Sequence, residues 1–361
     1  MKKALKIAVL SLNILALVSL LFSYLSVYVS PASFWPFAFF GLFYPVIFIV
    51  NLCFLVFWII RKKYIYAAVI GFLVIIGWNF IFRTFQIDFT GTRERTPETL
   101  KVMSYNVRLF CLYDWKDNYQ KRDMIIEYFL EEDPDILCLQ EFYYEDNPEF
   151  ETLDTLIKVL KAKNYHTYDA AVLWDNYHFG VATLSSYPIV NKGHIHFDNT
   201  SNCSIFTDIV FRGDTIRIYN NHLESIRFKE AEYNQIDSLT ESFDEDKYNG
   251  IIQKLKHSYS IRAKQAEIVS EHIAKSPYPV IVCGDFNDTP VSYVYRKMKA
   301  GLNDAFRKSG AGMGTTYNGK IPFQRIDYIL YGDEFKSSNY TTGDISLSDH
   351  YPIHCLIELD E

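Results

Sequence analysis

The sequence predicts an α+β fold: two packed β-sheets flanked by helices, a four-layer αββα sandwich, preceded by three transmembrane helices. Three observations predict it. Residues 1–83 contain no acidic residue and are filled by three long apolar runs. The remainder has more strand-like runs than helical ones, often in adjacent pairs, which favours two sheets with outer helices over one doubly wound sheet. Several of those strands end in carboxylate, amide or imidazole side chains.

The apolar runs are Ala4 to Val29, Phe34 to Ile60 and Tyr64 to Phe82. Each approaches or exceeds the ~20 residues a helix needs to cross a bilayer. A cleaved signal peptide does not fit, because the first run is too long and two more follow. Lys2, Lys3 and Lys6 precede the first run, Arg61, Lys62 and Lys63 separate the second from the third, and the connection at 30–33 is uncharged. Positive charge in short loops marks the cytoplasmic side. This predicts an integral protein of the plasma or inner membrane, with everything after Phe82 on the extracytoplasmic side. Trp35, Trp58 and Trp78 lie near span ends, as interfacial aromatics do. Arg83, Arg93 and Arg95 run against the rule.

Residues 84–99 are polar with a Gly and a Pro and read as a linker. The domain map is therefore 1–83 membrane region, 84–99 linker and 100–361 soluble domain. Residues 84–361 hold 29 basic and 43 acidic residues, a net charge of −14. Nucleic-acid enzymes usually carry a basic footprint, so that partner is disfavoured. The six cysteines form no C-x-x-C pair. That argues against a cysteine zinc site and against a disulfide framework, although one bridge outside the cell stays open.

In order, the soluble part reads as follows. Residues 100–110 are strand-like, 119–135 have helical spacing ending near Pro134, and 135–142 form a short apolar strand. Residues 151–163 form a second amphipathic helix, and 179–190 a strand with a turn. Residues 203–225 read as two strands joined at Arg212-Gly213-Asp214, a hairpin. Residues 227–257 are charged and look like an insertion, before a third helix over 260–276. A strand over 280–283, a short helix near 292–300 and strands around 325–331 and 351–359 complete the pattern.

The polar strand ends carry the chemistry. They present Asn106, Glu141, His222 (with Asn220 two residues before), Asp285 with Asn287, Asp327, and Asp349 with His350. In "VIVCGDFNDTP", residues 280–290, side chains at i and i+2 of an extended chain share a face, so Asp285 and Asn287 can act together. An Asx-turn explains that stretch alone equally well. Burying one such group unpaired costs a few kcal/mol. Collecting several is tolerable if they bond to one another or hold a cation. Carboxylates, an amide and no cysteine suit a hard divalent ion such as Mg2+ or Mn2+.

The set resembles the endonuclease/exonuclease/phosphatase superfamily, over about Lys101 to the C-terminus. "QE", "GDFN", "RIDYIL" and "SDH" are short, but the motifs stand in the family's order, each at an expected strand end. The resemblance implies the two-sheet fold and a metal-dependent hydrolase of phosphate esters. It implies that Glu141 binds the metal, with Asn106 and Asp349 beside it. Asp285 orients or deprotonates the attacking water, and Asn287 steadies it or contacts the phosphate. His350 contacts the scissile phosphate, and Asp327 holds its ring. His222 is a phosphate ligand or general acid. Arg262 and Gln265 resemble a pair that reaches substrate in family members, though a solvated helix face is an equal reading.

The substrate stays open at this level. Tethering and acidity favour a phosphodiester or phosphomonoester in or near the lipid layer, such as a head group. An extracytoplasmic nuclease acting on DNA or RNA is the second reading, and a catalytically inactive, membrane-tethered binding module the third.

Overall fold

The computed structural model describes residues 3–88, 91–113, 118–147, 150–198, 200–226, 245–319 and 323–360. The insertion expected at 227–257 lies outside the described residues up to 244. The chain divides into two compact units. One comprises 1–84, 224–266 and 288–297, and the other 85–223, 267–287 and 298–361.

In the first unit, α1 (Lys3–Leu25) is one continuous helix, long and apolar enough to cross a membrane. The other two apolar runs are broken. Short α2 (Pro31–Phe34) leads to α3 (Pro36–Leu42) and α4 (Tyr44–Ile60), and α3 and α4 meet at 68°. Pro45 sits at the start of α4, where its ring has no N–H to give and would clash with a preceding helical carbonyl. The pair α5 (Tyr64–Ile76) and α6 (Trp78–Thr84) bends by 58° at Gly77. Gly77 is required there, since a Cβ would meet the Tyr24 ring hydroxyl at 2.0 Å. Each bent pair would make one further span if it crosses as a whole. Polar side chains join the helices: Trp58 Nε1 donates to Asn13 Oδ1 at 2.9 Å, and Asn51 Nδ2 to the Ala16 carbonyl at 3.0 Å. Such bonds hold apolar helices together where burial alone gives little preference.

The second unit is built on two six-stranded sheets. The first has the order β11-β12-β1-β2-β4-β3 and the second β5-β6-β7-β8-β10-β9. The strands are β1 (Thr99–Asn106), β2 (Ile136–Glu145), β3 (Asn164–Leu173), β4 (Tyr177–Ser185), β5 (Ile189–Ile195) and β6 (Cys203–Phe211). They continue with β7 (Asp214–His222), β8 (Val280–Asp285), β9 (Asn303–Asp304), β10 (Asp327–Tyr331), β11 (Phe335–Thr342) and β12 (Ile353–Leu359). In each sheet one central pair is parallel, β1 with β2 and β7 with β8, and the other pairs are antiparallel. The hairpin at Arg212-Gly213 has positive φ at both residues (54° and 94°), as its tight turn demands.

Between the sheets, alternate side chains form one core: Val102, Ile136, Cys138, Ile216, Ile218, Ile281, Cys283, Ile329, Ile353 and Cys355. The opposite face of the first sheet packs Met103, Tyr105, Leu137 and Leu139 against α7 (Asn118–Glu132) and α8 (Thr152–Val159). The helix expected from 260 is α9 (Glu245–Ala274), fifteen residues longer at its start and crossing from one unit into the other. Two short helices, α10 (Tyr293–Met298) and α11 (Ala305–Ser309), complete the elements described.

Candidate active site

Strand register assembles the site. In the second sheet His222 pairs with Asp285, and Asp285 pairs with Asp327, so three functional side chains stand abreast on β7, β8 and β10. In the first sheet Asn106 ends β1 opposite Gln140. The next residue, Glu141, has φ +48° and lies where β2 carries one extra residue against β4, between Leu139 and Phe142. This bulge re-aims a side chain that a regular strand would hold elsewhere.

The groups converge. Asn106 Nδ2 donates to Asp285 Oδ2 at 3.1 Å and lies 3.4 Å from Glu141 Oε1. His222 Nε2 is 3.7 Å from Glu141 Oε1 and 3.9 Å from Asp285 Oδ2. His350 Nε2 is 3.7 Å from Asp285 Oδ2, while its Nδ1 bonds Asp327 Oδ2 at 2.9 Å. Asn287, at φ +53°, gives its N–H to Asp285 Oδ1 at 2.8 Å and its Nδ2 to Asp285 Oδ2 at 3.0 Å. The same Nδ2 reaches the Leu223 carbonyl at 2.9 Å, joining the ends of β7 and β8. Gly284 permits the approach: its φ is +134°, and a Cβ would stand 2.0 Å from the Asn221 carbonyl.

Burial separates the roles. Asp285, Asp327, Asn106 and His350 are 5% exposed or less, whereas the Glu141 side chain is 34% exposed. Burial pushes Asp285 up to about 6, against the opposing pull of His350 and His222. Burial also disfavours a charged His350 ring, but Asp327 and Asp285 outweigh it and push the ring up to about 10. At neutral pH the pair is thus a carboxylate facing an imidazolium, whose Nδ1–H donates to Asp327 while its Nε2–H faces Asp285 at ion-pair distance.

Several contributors do not stand out as strand-end groups. Gln140 Nε2 donates to Asn220 Oδ1 at 2.7 Å across the two sheets, and Asn220 Nδ2 to the Leu139 and Ala182 carbonyls at 3.2 and 2.9 Å. This buried bridge secures the strand beneath Glu141. Ser348 Oγ donates to the Asn106 carbonyl at 2.8 Å and accepts the His350 N–H at 3.2 Å, tying the 348–350 turn to β1. Asp349 lies next to that hydroxyl, 3.3 Å from Oδ1. Thr316 Oγ1 accepts the N–H of Asp327 at 3.1 Å, and the Tyr317 ring meets the His350 ring edge-on at 5.1 Å. The signals for these were faint: a Gln inside an apolar run, an Asn two residues before a His, a Ser before Asp-His.

Arg262 belongs to the other unit. It is 1% exposed, its Nε donates to the Glu224 carbonyl at 2.6 Å, Nη1 lies 3.6 Å from Asp288, and the guanidinium stacks over Tyr259 at 5.0 Å. Gln265 Oε1 accepts the Glu224 N–H at 2.7 Å. The pair therefore braces the chain that follows β7.

Asp285, Asp327 and His350 offer ligand atoms within 4.8 Å of one another and could bind a metal ion. Asp327 Oδ1 is buried without a hydrogen-bond partner, so the cluster has acceptor capacity to spare. Glu141, beside Asn106 and His222, Asp349 and the Asn106 amide add hard oxygen donors. The donor set fits a hard divalent cation.

The two-sheet fold is of the phosphoesterase and nuclease type. Residues 103–350 match the family model described as Endonuclease/Exonuclease/phosphatase family, and the chain belongs to that family. Residues 5–84 match a model described as a domain of unknown function (DUF8431). A comparison with curated proteins finds no match. Among solved structures, the human Nocturnin catalytic domain with bound sulfate is 20% identical, covering 76% of this chain and 96% of that one, with a TM-score of 0.54. A family protein from Bacteroides thetaiotaomicron is 18% identical over 73% and 95% of the chains, TM-score 0.53. D. rerio TDP2 complexed with a single-strand DNA product is 20% identical over 72% and 99%, TM-score 0.50. At these identities the likeness concerns the fold.

Proposed function

We propose that the protein is a membrane-anchored, Mg2+- or Mn2+-dependent phosphoesterase that hydrolyses a phosphodiester or phosphomonoester by attack of water. The observation that carries this reading is the row of His222, Asp285 and Asp327 with His350 seated on two of them. Glu141, with Asn106 and Asp349, would hold the cation. When bound, such an ion polarises phosphoryl oxygens and offsets the charge growing on them. Asp285, held ionised at neutral pH but close to titration, takes the proton of the attacking water. Asn287 fixes that carboxylate in the geometry the water must meet. His350 donates from Nε2 to a phosphoryl oxygen, and Asp327 holds the ring charged and oriented. His222 is a second imidazole at the same edge, placed to bind the phosphate or protonate the leaving oxygen. Arg262, expected as a substrate contact, serves in this reading to brace the chain after β7 through the Glu224 carbonyl.

Residues 1–83 serve as the anchor, 84–99 as the link and 100–361 as the catalytic domain, on the extracytoplasmic side by the positive-inside rule. A net charge of −14 beyond residue 83 opposes general nucleic-acid binding, and anchoring favours a lipid head group as substrate. The test is hydrolysis by the full-length chain in lipid nanodiscs. The panel holds a lipid phosphodiester, a soluble phosphodiester, a phosphomonoester and single- and double-stranded DNA, each with Mg2+, Mn2+ or chelator. Turnover of the lipid ester that chelator and Asp285→Asn abolish supports the reading. Preference for DNA would transfer it to the nuclease branch. Failure to bind either cation or turn over any ester would leave a binding module.

A further inference from the structure

The stretch that leads into β1 is fastened to the sheet-bearing unit. Gln86 exchanges two backbone bonds with Gly312, at 2.9 and 2.8 Å. The Arg93 N–H donates to Asn339 Oδ1 at 2.8 Å, and Asn339 Nδ2 returns a bond to the Arg93 carbonyl at 2.6 Å. Between this stretch and strands β1, β11 and β12 lies a cavity of about 420 Å³. Ligand clefts span about 300–1,000 Å³, so it has room for a small organic molecule. Every residue lining it belongs to the sheet-bearing unit. It is separate from the candidate active site: Lys101, in its wall, stands five residues before Asn106 on β1, about 16 Å of strand.

The charge of this wall is opposite to that of the domain. Residues 84–361 carry a net −14, yet Arg93, Arg95 and Lys101 line the cavity, with Asp88 the one carboxylate among its described lining residues. The carboxylates that hold these cations stand outside the lining. Arg93 Nη1 donates to Glu358 Oε1 at 2.9 Å. Arg95 Nη1 and Nη2 donate to Asp133 Oδ2 at 3.2 Å and Asp135 Oδ1 at 2.8 Å. Lys101 Nζ donates to Glu132 Oε2 at 2.5 Å. These bonds fix the cations without using all their donors. Arg93 Nε and Nη2 and Arg95 Nε make no hydrogen bond among the described residues. A guanidinium anchored at one edge keeps its other donors preset for an oxyanion, which lowers the entropy lost on binding.

We infer that this cavity binds a small phosphate anion, held by Arg93 and Arg95, with Lys101 supplying further positive charge. Two guanidinium groups and an ammonium on one wall match the several oxygens and double charge of a phosphate. A single carboxylate would leave half of those donors unused. The cavity is also larger than one phosphorus with four oxygens, and Asn339 and Thr341 line it with polar groups, so an organic phosphate of glycerol phosphate size fills it better than the free ion. The inference needs no turnover and stands apart from the phosphoesterase reading.

The experiment titrates the full-length chain with glycerol phosphate and with inorganic phosphate, in non-ionic detergent and chelator, so that neither lipid phosphate nor a metal takes part. Calorimetry gives Kd, and amide hydrogen exchange gives the place. We expect glycerol phosphate to bind with a Kd below about 1 mM. It should slow exchange about threefold or more over residues 91–101 and 336–342 while β7 and β8 keep their rates. Arg93→Gln should weaken binding about tenfold, since a hydrogen bond to a charged group contributes that much, and Arg93→Gln with Arg95→Gln about a hundredfold. Lys192→Gln, which removes an exposed cation on β5, should change Kd by less than about twofold. Tighter binding of glycerol phosphate assigns the cavity to an organic phosphate, and equal binding to the free ion. Should the double variant fail to fold, Arg93→Gln alone decides, because that side chain is 57% exposed. No heat from either anion up to about 10 mM overturns the inference. So does slowed exchange confined to β7 and β8, a Kd that Arg93→Gln leaves within about twofold, or an equal loss in Lys192→Gln.

Discussion

Asp327→Asn is the sharpest single perturbation of the site. The substitution keeps the volume and removes the charge from a carboxylate 1% exposed whose Oδ2 lies 2.9 Å from His350 Nδ1. A hydrogen bond to a charged group contributes about 1.5–3 kcal/mol, so kcat should fall by roughly 10- to 150-fold. Asp327 is also the foremost of the groups raising His350, so the ring should return toward its ordinary range. The alkaline limb of the rate profile should then move to lower pH, because the imidazolium is lost earlier. The assay is steady-state hydrolysis from pH 6 to about 10.5 for wild type, Asp327→Asn, His350→Ala and the double variant. If Asp327 acts through His350, the double variant loses no more than His350→Ala alone. A kcat within about threefold of wild type, or an equal loss in the His350→Ala background, would refute the reasoning.

Other expectations are simpler to check. Asn220→Ala strands Gln140 and two buried carbonyls and should cost about 3 kcal/mol, measured by denaturant unfolding of the full chain. Gly284→Ala places a Cβ 2.0 Å from the Asn221 carbonyl at φ +134° and should cost about 3 kcal/mol or prevent folding, read by yield and melting temperature. Burial, with Lys192 and His194 nearby, holds His166 down to about 4. Its folded value lies below its unfolded 6.5, so the stability it contributes is present above pH 6.5 and lost as pH falls through about 4. That loss reaches ~3 kcal/mol at most, and His166→Gln should flatten this part of the acid-unfolding curve.

The strands of the candidate site were legible because each combines an apolar run with a polar residue in it or beside it. That pattern singled out Asn106, Glu141, His222, Asp285, Asp327 and His350, and strand register sets His222, Asp285 and Asp327 abreast. Strands β3 and β11 were not legible. Both are edge strands, half-exposed and rich in polar residues, so neither alternates cleanly. The breaks at Phe43 and Gly77 were hidden inside uniformly apolar runs, where hydropathy gives length and no direction. Asn220 was seen only as a companion of His222 and Gln140 only as a member of a strand, since their bond spans the two sheets and no local pattern encodes it. The same holds for Ser26 and Val291, which only the folded chain brings together.

That last pair also sets an order of assembly. Ser26 and Val291 are 265 positions apart, yet they share one hydrogen bond in one packed cluster. Helices α1–α6 leave the ribosome with a seat that remains empty until some two hundred further residues have been made. At ~5–20 residues per second that interval is roughly ten to forty seconds. Throughout it, Leu20, Tyr24, Tyr44 and Phe80 lack the valine that completes their core. Synthesis therefore delivers helices α1–α6 first and the valine that completes their cluster only after β8, with β9–β12 still to be made. Damage to the C-terminal half should be felt as an unfinished helix bundle at the other end of the chain.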